Sequence, residues 1–213
     1  MFAGIVLVAG LELAAAWLAL HPHVDGNYRA YYIDQSTTCL NKPVTGAYEL
    51  GATVSFMPDD QPGARHLRVC GWAGPGGDGT HSAGTSSRLR FAVPDGTKSL
   101  ILQMWVTAVV APDGRDQQIV LRSSNGVTIG EATIPAGVTK VLEFEVPPTA
   151  ISRTRKRLDL VLSYPDAAAM SPHVGDMNYR AIKLMSVQLR RPGDPASLGP
   201  QDDPLAQRHE QGP

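Results

Sequence analysis

Gln118-Ile119-Val120-Leu121-Arg122-Ser123-Ser124-Asn125-Gly126-Val127-Thr128-Ile129-Gly130-Glu131-Ala132-Thr133-Ile134 sets two runs of alternating, β-branched-rich sequence on either side of Asn125-Gly126. Alternation places every second side chain on one face of a strand, and both residues of an Asn-Gly pair tolerate the positive φ of a type I′ turn. The segment therefore reads as a β-hairpin. Working outward, further short runs follow the same period: Leu89, Phe91 and Val93; Leu142, Phe144 and Val146, with Glu143 and Glu145 facing away; Leu158, Leu160 and Leu162. Leu100 to Val109 is apolar on both faces, which predicts a central strand with Trp105 facing opposite to Leu102 and Met104. Strands are also expected over 28–34, 49–56, 66–72 and 181–190, with turns at Pro94-Asp95-Gly96, Pro112-Asp113-Gly114 and Pro135-Ala136-Gly137. Short strands at regular spacing predict an all-β fold, a two-sheet antiparallel sandwich of jelly-roll type.

Residues 1–20 are almost wholly apolar and reach about 30 Å as a helix, the thickness of a bilayer core. Glu12 lies within that run and no Lys or Arg precedes it, so an uncleaved membrane anchor or last span of a larger membrane protein, a cleaved signal and a buried helix all stay open. In the first two readings the β domain, residues 21–191, lies outside the cytoplasm. The tail from Pro192 to Pro213 is poor in apolar residues and is expected to be disordered. Two cysteines, Cys39 and Cys70, suit a disulfide in an exported domain, and neither has a neighbouring Cys or His at zinc spacing.

Charge and motifs narrow the function classes. A formal net charge of -1 gives no basic surface to attract nucleic acid. The run Arg153-Thr154-Arg155-Lys156-Arg157 reads as a solvated turn ahead of a strand, with a site for an anionic partner as the alternative. Residues 71–82, rich in glycine, lack the helix and lysine of a phosphate loop and read as a long flexible connection. His81 and Ser82 are adjacent on an extended chain, so they point to opposite faces and cannot act as a nucleophile and base pair. Asp78 and Asp59-Asp60 have the chemistry of calcium ligands, but a solvated acidic turn explains them as well. No cofactor and no metal site is expected.

One phrase recurs. Pro22-His23-Val24-Asp25-Gly26-Asn27-Tyr28-Arg29-Ala30 is echoed by Pro172-His173-Val174-Gly175-Asp176-Met177-Asn178-Tyr179-Arg180-Ala181. The two copies are expected to lead into the first and last strands. If those strands are neighbours, Tyr28, Arg29, Asn178, Tyr179 and Arg180 supply aromatic faces and planar donors, a combination that suits sugars and anionic glycans. The alternative is that each Arg pairs with a nearby Asp and each Tyr packs at the sandwich edge.

Gly71-Trp72, Gly79-Thr80-His81-Ser82 and Arg88-Leu89-Arg90-Phe91, followed by Tyr164-Pro165-Asp166-Ala167, Ser171-Pro172, Gly175 and Arg180, resemble the motifs of extracytoplasmic β-sandwich modules found with bacterial membrane glycosyltransferases and cell-envelope proteins. The similarity spans about residues 45 to 190. It departs at His81, where an aromatic is usual, at Asn178, where Asp is expected, and at Lys183, where Gly is expected. The resemblance implies a non-catalytic module on the outer side of the bacterial inner membrane, anchored by residues 1–20. Such a module would bind carbohydrate or position an inner-membrane partner that handles glycans. Trp72 and His81 join Tyr28, Arg29, Asn178, Tyr179 and Arg180 as the expected ligand residues. A purely structural docking domain and a glycan hydrolase are the alternatives.

Overall fold

The computed structural model describes residues 2–20, 24, 28–34, 36–39, 44–58, 61–170 and 176–198. After helix α1 (Phe2–Leu20) and a short π-helix (Arg29–Ile33) come β1 (Thr53–Ser55) and helix α2 (Gln61–Leu67). Next are β2 (Arg68–Cys70), β3 (Trp72–Gly76), β4 (Gly79–Ser82), β5 (Ser86–Ala92) and β6 (Leu100–Ala108). β7 (Gln117–Ser123), β8 (Thr128–Ile134), β9 (Thr139–Val146) and β10 (Arg157–Ser163) follow. The described chain closes with β11 (Ala168–Ala169), β12 (Tyr179–Arg180) and β13 (Ile182–Arg190).

Two antiparallel sheets form the sandwich. One runs β3-β4-β13-β6-β9 with β1 added on β13, and the other runs β2-β5-β10-β7-β8. The inward residues of the two sheets meet in one core: Leu89, Phe91, Leu102, Met104, Leu158, Leu160 and Leu162 are each fully buried. Phe144 and Val146 point inward while Glu143 and Glu145 are exposed, as their alternation requires. β6 lies inside its sheet between β13 and β9 and is buried along most of both faces, the inner one in the core and the outer one at Trp105 beside Leu198, which explains its continuous apolar run.

Several local expectations are corrected. Residues 28–34 form the π-helix rather than a first strand, so the echoed phrases do not bracket the sandwich. Within 49–56 only Thr53–Ser55 is strand, and 66–72 is split between the end of α2, β2 and the start of β3. The glycine-rich 71–82 segment is the β3–β4 hairpin, because small residues let two backbones pair closely. The Asn125-Gly126 turn joins β7 to β8 as foreseen but not as type I′. Only Gly126 has positive φ, at 89°, and its N–H donates to Ser123 O at 3.0 Å. This is the three-residue loop with a glycine bulge, and Asn125 instead donates its amide to Thr149 O at 2.8 Å. The tail is ordered on the sheet as far as Leu198, which is 9% exposed beside Trp105, and Ser197 N donates to Gln188 Oε1 at 3.2 Å. Residues 199–213, Asp59-Asp60, Ser171–Gly175 and all but Val24 of 21–27 lie outside the described residues.

The chain before β1 is clamped to the end of β13 by Tyr48. Its hydroxyl donates to backbone carbonyls, Leu189 O at 3.0 Å and Ala52 O, and accepts from Leu189 N at 2.8 Å. Burial pushes its pKa up to about 12, against the lowering effect of the Leu189 hydrogen bond. Because the folded value lies above the unfolded one, the stability this phenol contributes is complete below pH 10 and is lost as pH rises towards 12. The melting midpoint should therefore fall across that window. Tyr48→Phe should reduce the alkaline slope and cost about 1–2 kcal/mol at neutral pH. A slope identical to that of the parent chain would show that Tyr48 is not the titrating clamp. The buried Tyr164, also raised by burial and bonded to Ser87 Oγ at 2.5 Å, accounts for any remaining slope.

Candidate functional site

β4 pairs with β13 so that His81 stands opposite Lys183 and Thr80 opposite Leu184. Thr80 and Ser82 turn inward and are fully buried, and Ser82 Oγ accepts from the N–H groups of Ala181 and Ile182 at 2.9 and 3.1 Å. His81, between them, faces the other way. Asp78, at the hairpin tip, receives the Lys183 ammonium. Tyr179 and Arg180 arrive from β12, which pairs with β11, and Gly84 N donates to Tyr179 O at 3.0 Å, fastening β12 beside β4. Arg180 donates to Tyr179 O at 2.9 Å and to Met177 O, which fixes its guanidinium at the edge. Tyr179 is 36% exposed.

The electrostatics of this corner follow from its composition. Burial first, then the Lys183 and Arg180 charges, lower the His81 pKa, with Asp78 opposing. The imidazole is therefore neutral at pH 7, and its buried Nδ1 has no hydrogen-bond partner among the described residues. The hydrogen bond from Lys183 holds the Asp78 carboxyl below its ordinary range, and burial lowers the Arg180 pKa. A neutral imidazole, two cations and an exposed phenol ring can donate to hydroxyl or carboxylate oxygens and offer a face for stacking. Cations at this density repel a metal ion, and no cluster of metal-ligating side chains occurs among the described residues.

Of the seven expected ligand residues, the fold gathers four here: His81, Asn178, Tyr179 and Arg180. Asn178 sits in the short helix Asp176–Asn178 and its carbonyl accepts from Met170 N at 3.2 Å. Tyr28 and Arg29 belong instead to the π-helical segment, where Tyr28 stacks on Tyr32 with centroids 4.6 Å apart and Arg29 pairs with Asp34 at 3.4 Å. That segment leads into the Cys39–Cys70 disulfide. Its Tyr31 lines a cleft of about 500 Å³ with Arg65 and Arg68. Arg68 reaches Ala73 O and Thr80 Oγ1 at 3.2 and 3.5 Å, which places this cleft on the Thr80 side of the β3–β4 hairpin, away from His81. Trp72 does not join the His81 corner. It is 7% exposed, its ring lies 6.3 Å from Phe56, its indole N–H donates to Arg88 O at 3.0 Å, and what remains accessible lines the Tyr31, Arg65 and Arg68 cleft. Lys183, which the motif comparison marked only as a departure, supplies the charge that the corner is built around. Its strand register against His81 was the signal that sequence alone did not carry.

No family model and no characterised protein sequence matches the chain. Among solved structures it is similar to the carbohydrate-binding module CBM6cm-2 of Cellvibrio mixtus lichenase 5A in complex with cellotriose, at 12% identity over 67% of this chain and 98% of that one, TM-score 0.37. It is similar to a family 6 carbohydrate-binding module at 11% identity over 70% and 99%, TM-score 0.34. Similarity to the family GH115 4-O-methyl-α-glucuronidase BtGH115A, at 10% identity and TM-score 0.36, covers 53% of this chain and 14% of that enzyme.

Proposed function

We propose that the chain is a non-catalytic β-sandwich module of the bacterial envelope that binds carbohydrate at the His81, Tyr179, Arg180 and Lys183 corner. The observation that carries this reading is the β4–β13–β12 arrangement, which sets an exposed phenol ring beside three nitrogen-bearing side chains. Five carboxylates are engaged in ion pairs, which favours a binding role over their service as a hydrolytic pair. Asp78 is paired with Lys183, Asp95 with Lys156, Asp113 with Arg115, Asp159 with two arginines and Glu143 with Arg190.

An extracytoplasmic location is supported by the disulfide, which persists in oxidising compartments. Among the described residues no helix is long and apolar enough to cross a membrane. The described side chains of α1 are nevertheless exposed, Leu13 at 73% and Leu20 at 77%. Lipid is the partner that its chemistry fits, and anchoring by residues 1–20 belongs to the same proposal.

Glycan-array binding by the full chain in detergent tests the corner. At least one glycan should be retained, and Tyr179→Ala should weaken it by about tenfold through loss of the stacking face. Retention of no glycan, or undiminished affinity in Tyr179→Ala, would refute the assignment.

A further inference from the structure

The outer face of the five-stranded sheet gathers arginines that are remote in sequence. Val161 on β10 is flanked across the sheet by Arg88 of β5 and Arg122 of β7, so the three side chains share one face, with the two arginines about 10 Å apart. In the adjoining row Asp159 stands opposite Arg90. Its two oxygens are held by Arg90 Nε at 2.6 Å and Arg157 Nε at 2.7 Å. Beyond them the turn before β10 adds Arg153 and Arg155. Two adjoining hollows of about 260 and 460 Å³ share Ser124, Arg155, Arg157 and Asp159.

Six arginines thus surround one aspartate in a chain whose formal net charge is -1. Asp159 is already neutralised twice and orients its two guanidinia. Arg88 and Arg122 are exposed, as are Arg153 and Arg155, and none of these four has an acidic partner among the described residues. Such a concentration of like charge opposes the compact state unless an anion is bound. What reads as a solvated turn in Arg153 to Arg157 is one rim of this surface.

We infer that this face binds an acidic polysaccharide, a chain carrying carboxylates at repeated intervals. Guanidinium groups match carboxylates in paired hydrogen bonds, and arginines spread over three strands and a turn suit an extended polymer better than a single small anion. The face is hollowed, and none of its residues is an exposed large hydrophobic, so it lacks the apolar wedge with which a protein enters a lipid surface. In the extracytoplasmic location proposed above, polysaccharide rather than nucleic acid is at hand. The inference does not rest on the His81 corner, which lies on the other sheet.

The test is titration of the full chain in detergent with polygalacturonate, and with neutral dextran as control. Polygalacturonate should bind with an affinity that falls as salt rises, and dextran should not bind at this face. R88Q/R122Q should weaken polygalacturonate by about tenfold, at a melting midpoint no lower than the parent's, since both side chains are exposed and their loss relieves like-charge repulsion. R153Q/R155Q, confined to the turn, should act in the same direction and serves if the strand variant folds poorly. K140Q/R191Q, equal in charge but on β9 and just after β13, away from the five-stranded sheet, should have no effect, and Tyr179→Ala should leave this binding intact. Absence of polygalacturonate binding, or equal weakening by K140Q/R191Q, would overturn the inference. So would an Arg88- and Arg122-dependent preference for phosphatidylglycerol over phosphatidylcholine vesicles without polygalacturonate binding.

Discussion

Gly71→Ala should fail to give a folded protein. Gly71 has φ +77°, and a Cβ there would sit 2.1 Å from Ser86 O and 2.4 Å from Ser87 Cα, both backbone atoms of β5 that cannot turn aside. The same residue is tied on both sides. Its N–H donates to Thr38 Oγ1, its carbonyl accepts from Ala83 N at 2.8 Å, and Cys70 next to it is bonded to Cys39. Steric overlap and left-handed strain act together at a point where the chain leaves the five-stranded sheet for the six-stranded one. The expected cost exceeds about 4 kcal/mol, a large part of the 5–15 kcal/mol that holds a domain together. Soluble yield and far-ultraviolet circular dichroism check it. Gly77→Ala is the control, since a Cβ at Gly77 meets nothing within 4 Å, and its midpoint should stay within a few degrees of the parent. A well-folded Gly71→Ala protein would show that this crossing is not the constraint its geometry implies.

What the sequence made legible was whatever depends on period alone. Leu142, Phe144 and Val146, or Leu158, Leu160 and Leu162, alternate without interruption, and burial of one face leaves a strand no second register. The β3–β4 hairpin escaped because Trp72-Ala-Gly-Pro-Gly has no alternation to read; its pairing comes from the partner strand β13 through β4, a contact about one hundred residues away. Residues 28–34 misled in the opposite sense. Their tyrosines carry a strong strand preference, yet without a neighbouring strand that preference has nothing to pair with.

The site shows the same division. Tyr179 and Arg180 could be singled out as an aromatic and a planar donor side by side, which is local chemistry. That Lys183 completes their corner, or that Arg88 and Arg122 converge around Val161, depends on register between strands and on a bulge at Leu184/Ser186. Register is decided by packing of the whole sandwich. Residue types alone therefore point to half of the proposed corner and show the proposed arginine face only as its turn.

Trp72→Ala separates packing from recognition, and its expected result reverses the role that its motif suggested. The buried indole packs near Phe56, and its N–H satisfies the Arg88 carbonyl. Truncation leaves a cavity and an unpaired carbonyl together, at an expected cost of about 3–5 kcal/mol, which lowers the melting midpoint by roughly 10 °C. Trp72→Phe should recover most of the packing and forfeit chiefly the hydrogen bond, so its midpoint should lie between the two. Ligand affinity should follow a different order. Because Trp72 contributes no atom to the Tyr179 face, the folded fraction of Trp72→Ala should bind glycan as the parent does, while Tyr179→Ala keeps its midpoint and loses affinity. A Trp72→Ala protein with unchanged midpoint and abolished binding would restore the tryptophan to the ligand surface and displace the corner built on His81 and Lys183.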